Sequence, residues 1–312
     1  MNNVPHGARR SLLKRIAGRI ARIFFGDKVL LPRRMADTMW HLGSVRHRIR
    51  GGRIVVRFDN LDADIILDAR SDLALRAIGE GCYERELLDI LPAVAGSGDL
   101  INVGANVGIV AIKLCQGVAE GRRVLCIDPI PECIALLKDN LAAAGVGDRT
   151  IVVQAFAAAT AEGAREMWTV PGKPEYSSGG PIVHQAVVGD TKVSQLVPTI
   201  RIDDAVSDSN LAPSAIVMDC EGGEFNALRG ATATLAAHRP TVILEFDSPL
   251  LAANGCDSAT FLRFFTELGY GCLALSAAAS DIGPDFAGTA VAMPTERLEA
   301  GRRSLVEILT RS

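Results

Sequence analysis

Two kinds of hydrophobic spacing divide the chain. From residue 8 to 25, "ARRSLLKRIAGRIARIFF" sets Leu12, Leu13, Ile16, Ile20 and Ile23 at helical intervals, with Arg9, Arg10, Lys14, Arg15, Arg19 and Arg22 between them. The spacing predicts a basic amphipathic helix that packs on its own domain or else docks on an anionic membrane surface or a partner. Looser alternation from Val45 to Leu67, around Gly51-Gly52, predicts a small hairpin.

Beyond residue 84 short apolar runs are each followed by a helical pattern. "LINV" (100–103) leads into a helix from Val107, and "RVLCID" (123–128) into "PECIALLKDNLAAAG", where Gly145 stops the helix. "TIVVQAF" (150–156) reads as a third strand. "AIVMD" reads as a strand ending at Asp219, before a helix carrying Phe225, Leu228 and Leu235. "TVILEFD" (241–247), a helix near 258–268, strands near 270–275 and 286–293 and a charged C-terminal helix complete the series. Strands with little alternation, each followed by a helix, predict a doubly wound, mostly parallel α/β sheet whose ligands sit at the strands' carboxyl ends. Residues 164–199, rich in Gly, Pro and Ser, break this rhythm and read as a long functional loop. The expected organisation is an N-terminal extension over 1–75 and one domain over 76–312.

Composition narrows the partners. The formal net charge is -3 and 48% of residues are apolar, the balance of an ordinary soluble protein, so nucleic acid is not an expected partner. The seven cysteines are scattered without a Cys-x-x-Cys pair, indicating neither a disulfide framework nor a zinc site and fitting a reducing compartment. No run approaches the ~20 apolar residues of a membrane span, and the first residues lack a signal peptide's apolar core, so a cytoplasmic protein is expected. Nothing in the pattern specifies an oligomeric state.

The turn after "LINV" carries the first chemistry. Gly104 and Gly108 bracket Ala105-Asn106-Val107 as G-x-x-x-G, without the middle glycine of a dinucleotide site and without the lysine of a triphosphate loop. That disfavours a nicotinamide oxidoreductase and suits a ligand that needs no phosphate neutralisation. S-adenosylmethionine is such a ligand, and Asp128, at the end of the second strand, is placed to accept from both ribose hydroxyls. A purely structural turn followed by a helix-capping acid is the alternative.

Further segments carry a resemblance. "GCYERELLDIL", "LINVGANVGIVAIK", "CIDPIPECIALLKDNL", "VPTIRIDDAV", "VMDCEGGEFNALRGA" and "PTVILEFD" occur in that order between Gly81 and Ser248. Together they resemble the FkbM-type family of S-adenosylmethionine-dependent methyltransferases. The resemblance implies a seven-stranded, Rossmann-like class I methyltransferase sheet. It also implies a cofactor site in which Asn102, Gly104, Asn106 and Gly108 line the methionine part, Asp128 holds the ribose, Ala155 and Phe156 flank adenine, and Glu84 reaches in from its helix. Asn102 stands where the family usually has Asp, and Met218 where a lysine is common.

Strand-end carboxylates supply the catalytic candidates. Asp219, Glu221 and Glu245 belong on the cofactor edge, where a hydroxyl acceptor must lose a proton during attack. Helix capping by these acids is the competing reading. His184 in the long loop is a further candidate base. The three acids are also hard ligands of the kind that bind magnesium or calcium, but their spacing does not demand a metal and none is expected. The resemblance implies O-methylation of a small-molecule or glycan acceptor, with a non-catalytic docking protein on the same scaffold as the alternative.

Overall fold

The computed structural model describes residues 48–50, 52–161, 163–179, 187 and 189–311. The helix expected over residues 8–25 and His184 lie outside the described residues. Two compact units divide between Tyr83 and Glu84.

In the first unit, β1 (Arg48–Arg50), β2 (Arg53–Arg57) and β3 (Asp64–Asp68) form an antiparallel sheet, followed by helix α1 (Asp72–Glu80). Strict alternation buries Ile54, Val56, Ile65 and Leu67 on one face. The hairpin expected around Gly51-Gly52 is β1–β2, and β3 adds a third strand on the far side of β2.

The second unit opens with α2 (Arg85–Val94), β4 (Asp99–Val103), α3 (Ile109–Gly117), β5 (Val124–Asp128), α4 (Pro131–Ala143) and β6 (Thr150–Gln154). Pro131 opens α4 at a position where a missing N–H costs nothing, and Gly145, at φ 69°, ends it. After the segment 156–200 come α5 (Ile202–Asp208), β11 (Pro213–Met218), α6 (Glu224–Arg229), α7 (Thr232–His238) and β12 (Thr241–Phe246). The chain closes with α8 (Ser248–Ala253), α9 (Ser258–Glu267), β13 (Tyr270–Ala274), β14 (Gly288–Pro294) and α10 (Thr295–Leu309).

Seven of these strands form one sheet in the order β13-β14-β12-β11-β4-β5-β6, with only β14 antiparallel to its neighbours. This is the doubly wound class I arrangement that the resemblance implied. The chain runs outward from β4 through β5 to β6, then returns to β11 on the other side of β4, so the topological switch point lies between β4 and β11. One sheet face is covered by a core that joins Ile101, Val103, Leu125, Ile127, Ile216 and Met218 to residues of α5, α7 and α9.

The structure differs from two sequence expectations. The presumed loop 164–199 contains β8 (Ala164–Val170), β9 (Lys173–Ser178) and β10 (Val193–Ile200), which join β7 (Phe156–Ala157) in a second sheet ordered β7-β10-β8-β9. Phe156 therefore leaves the main sheet, and the third strand ends at Gln154. The single helix expected after Asp219 is two. Gly230 separates them against the Ala158 carbonyl, which a Cβ there would approach to 2.0 Å, and Asp203 caps α7 through Thr234 N and Thr234 Oγ1 at 2.8 and 2.7 Å. Among the described residues no helix is long and apolar enough to cross a membrane.

Candidate functional site

The glycine turn sits at the switch point. Gly104 N and Ala105 N both donate to the Ile127 carbonyl, at 2.9 and 3.1 Å, and Asp219 N donates to Val103 O at 3.1 Å. Gly104 has φ 73°, and a Cβ there would lie 1.7 Å from the Asp219 carbonyl oxygen. Gly108, at φ 97°, faces Leu137, whose Cδ1 would lie 2.7 Å from an added Cβ. Both glycines are thus demanded by protein neighbours. Asn106 takes the left-handed conformation at φ 46°, which Asn tolerates better than most residues.

Asp128 closes the turn from the next strand. Its Oδ2 accepts from Asn106 N at 2.8 Å and its Oδ1 from Ile130 N at 2.9 Å. Burial pushes its pKa up to about 6, against the opposing pull of those two N–H groups. Asn140, fully buried, donates to Val107 O at 2.7 Å and so anchors α4 to the far end of the turn.

Strand register explains why the polar candidates converge. Asn102 is paired with Cys126 of β5 and Val217 of β11, and Val217 with Ile243 of β12. Two residues onward along those strands lie Asp128, Asp219 and Glu245, so the period of two puts all of them on Asn102's face. The intervening residues, including Ile127, Met218 and Leu244, belong to the core on the opposite face. Met218 is 2% exposed in that core and bears on no charge beside Asp219; the β11 residue sharing Asp219's face is Val217. Asn102 is equally buried, and its Oδ1 has no hydrogen-bond partner among the described residues.

The carboxylates form one electrostatic group. Asp219 is held well above the usual carboxylate range by burial first, then by the charges of Glu245, Glu221, Glu84 and Glu224. Glu245 is raised by burial and by Asp247 and Glu84. Asp219 and Glu245 keep contact with solvent although protein crowds them. Glu84 joins them from the N-terminus of α2, and Glu221 occupies the turn after β11 at φ 50°. Glu224 plays another part. Its buried carboxyl accepts from Cys220 N at 2.7 Å, capping that turn, and burial lifts its pKa to about 7. Asp247 caps α8 through Leu250 N at 2.8 Å. Among the described residues no group of three or more His, Cys, Asp or Glu is arranged to hold a metal ion.

Ala155 N donates to Asp128 O at 3.2 Å, which sets the chain after β6 beside the turn. Phe156 follows, buried against Ile130, Cys133, Met167 and Val197. Sequence reasoning missed Arg165, whose guanidinium lies 4.7 Å from the Phe156 ring centroid. Alternation in "AREMWTV" was the available signal for its strand, where Met167 and Thr169 are buried and Glu166 and Trp168 exposed.

A curated relative, a probable cobalt-precorrin-6B C(15)-methyltransferase (decarboxylating) of Pyrobaculum aerophilum, is 37% identical over 57 residues, covering 18% of this chain and 29% of that protein. The solved methyltransferase FkbM of Methylobacillus flagellatus KT is 20% identical over 63% of this chain and 43% of that one, with a TM-score of 0.39. An O-methyltransferase of Bacillus cereus, solved in complex with SAH, is 12% identical over 91% and 98% of the two chains, with a TM-score of 0.38. The chain therefore spans less than a third of the curated relative and less than half of the FkbM structure. The sequence model of the methyltransferase FkbM domain matches residues 102–272, from Asn102 beneath the glycine turn to the middle of β13. With more than half of its length in that match, and the match running through every strand end that bears a candidate residue, the chain belongs to the methyltransferase FkbM domain family.

Proposed function

We propose that the protein is an S-adenosylmethionine-dependent methyltransferase that methylates a hydroxyl of a sugar, glycolipid or polyketide-like metabolite, with residues 76–312 as the catalytic domain. The observation that carries this reading is the row of Asn102, Asp128, Asp219 and Glu245 on one sheet face at the switch point. The residues present fit the cofactor. Each Asp128 oxygen accepts one backbone N–H, and a carboxylate oxygen has room for another donor, so the pair can receive a ribose diol. The unsatisfied Asn102 Oδ1 offers an acceptor to an ammonium. Gly104 and Asn106 keep the turn compact, and Ala155 and Phe156 supply an apolar wall for a base.

When bound, S-adenosylmethionine supplies a methyl group made electrophilic by its sulfonium. The chain's own residues then have two tasks. Holding the acceptor in line and excluding water falls to the strand ends and the turn, since alignment is the larger part of help for a displacement. Accepting the hydroxyl proton falls to Asp219, Glu221 or Glu245. Burial, and then the charges of neighbouring carboxylates, raise the proton affinity of Asp219 and Glu245, which brings a carboxylate closer to the pKa useful to a base at neutral pH.

Calorimetric titration with S-adenosylmethionine and S-adenosylhomocysteine, beside Asp128→Ala and an NAD control, tests the cofactor. Micromolar binding lost in the variant is expected; a folded wild type that binds neither sinks the proposal. Methyl transfer to a library of hydroxylated acceptors then tests the reaction. The neutral Asn102 favours a second reading, a docking protein that binds the cofactor without turnover, and product formation from any library member ends it.

A further inference from the structure

Arg165 stands beside this site with no part in the mechanism. Its Nη2 donates to the Gly179 carbonyl at 3.2 Å, and its guanidinium stacks on Phe156. No carboxylate among the described residues pairs with it. A guanidinium carries five N–H donors in a rigid fork, so most of them are unspent on a side chain that is only partly exposed. Other arginines that reach into the fold are committed. Arg239 binds Glu296 and the carbonyls of Leu268 and Gly269, Arg302 binds Asp281 and Glu299, and Arg201 binds Asp203 and Asp204.

The placement of Arg165 is built. Its register partner on β10 is Val197, and that sheet face packs Met167 and Val197 against Phe156. A Cβ at Gly179 would lie 2.9 Å from the Phe156 ring and 3.1 Å from Arg165 Nε, so the end of β9 must be glycine to lie against the stacked pair. Phe156 packs on one side with Ile130, whose N–H binds Asp128. On another it meets the turn of Asp219 to Glu224, where a Cβ at Gly223 would lie 3.6 Å from the ring. Arg165 is therefore one ring away from both the ribose acid and the acidic turn. An anion placed among Asp219, Glu221 and Glu245 would be repelled, whereas one placed across Phe156 from them meets an uncommitted guanidinium.

We propose that Arg165 binds an anionic group of the methyl acceptor, a carboxylate or a phosphate, and so selects acidic over neutral acceptors. The inference rests on the methyltransferase reading. An acceptor that reaches from Arg165 past Phe156 to the strand ends sets its anion on the guanidinium and its hydroxyl at the carboxylates, leaving the ring to wall the base.

The test is calorimetry on the full chain saturated with S-adenosylhomocysteine, using methyl glucuronide, glucose 6-phosphate and methyl glucoside as probes. At least one anionic probe is expected to bind tenfold or more tightly than the neutral one, and the stronger of the two identifies carboxylate or phosphate. Arg165→Gln is expected to erase the difference and Arg165→Lys to keep part of it, because the charge remains while the fork is lost. Both variants should retain the wild-type affinity for S-adenosylhomocysteine and the wild-type thermal midpoint. Equal binding of the anionic and neutral probes by wild type overturns the proposal, as does a loss of S-adenosylhomocysteine affinity in Arg165→Gln, which would make Arg165 a wall of the cofactor site. Failure of wild type to bind S-adenosylhomocysteine refutes the methyltransferase reading instead. The titrations are then repeated without it, and Arg165-dependent preference for an anionic probe upholds the anion site while its absence overturns it.

Discussion

Gly104→Ala is the substitution whose cost the structure fixes best. An alanine at φ 73° pays the left-handed penalty of about 1 kcal/mol. Its Cβ also meets the Asp219 carbonyl oxygen at 1.7 Å, and an ordinary contact needs at least 3.4 Å, so the ends of β4 and β11 must separate by about 1.7 Å. The obstacle is backbone, and no rotamer change relieves it. Separation breaks the bond from Asp219 N to Val103 O and strains those from Gly104 N and Ala105 N to Ile127 O, each worth about 1 kcal/mol. The sum is about 3–4 kcal/mol, to be read from urea unfolding followed by circular dichroism with an unchanged slope. Gly108→Ala is the internal control, because the obstacle there is the end of the Leu137 side chain, and about 1–2 kcal/mol is expected. If Gly104→Ala unfolds at the wild-type urea midpoint, or costs less than Gly108→Ala, the close approach at the switch point is wrong.

Four other outcomes follow from the same geometry. Affinity for S-adenosylhomocysteine should rise as pH climbs through about 6, where the Asp128 carboxylate ionises, and Asp128→Asn should abolish that rise in a calorimetric pH series. Glu224 has a folded pKa of about 7, above its unfolded value, so the stability it confers at low pH is lost as pH rises from about 4.5 through 7. Glu224→Gln keeps the acceptor for Cys220 N and should flatten the fall in urea midpoint across that window. Asp203→Ala removes the cap on Thr234 and the partner of Arg201, and should cost about 2–3 kcal/mol in the same unfolding assay while leaving cofactor affinity within twofold. Met218→Lys should destabilise by about 3 kcal/mol or more, since it puts an unpaired ammonium among apolar neighbours; near-neutral stability would place residue 218 at the site after all.

The main sheet was legible because its signals are local. Continuous apolar runs such as "LINV" and "RVLCID", each followed by helical spacing, report burial on both faces, and β4 and β5 are buried at every position. Asp128, Asp219 and Glu245 were placeable from the same signal, since each ends such a run. What stayed hidden depends on pairing between distant segments. The second sheet is amphipathic and interrupted by Gly172 and Gly189, so its composition resembles a loop, and only the ladder between β8 and β10 reveals it. The side of the sheet that Met218 takes was likewise not legible, because a one-position shift moves a side chain to the opposite face. The glycine turn suggested a close approach, but not that Gly104 is required by Asp219, which lies over a hundred residues further along the chain.

The second sheet also shapes how such a protein can diversify. Its strands hydrogen-bond to one another and to β7, and none joins the seven-stranded ladder. Residues 164–200 thus form a cassette grafted between the third and fourth parallel strands, meeting the site through the Phe156 and Arg165 stack. A change of sequence in such a graft leaves the glycine turn and the two hydrogen bonds of Asp128 in place, because none of its strands pairs with β4 or β5.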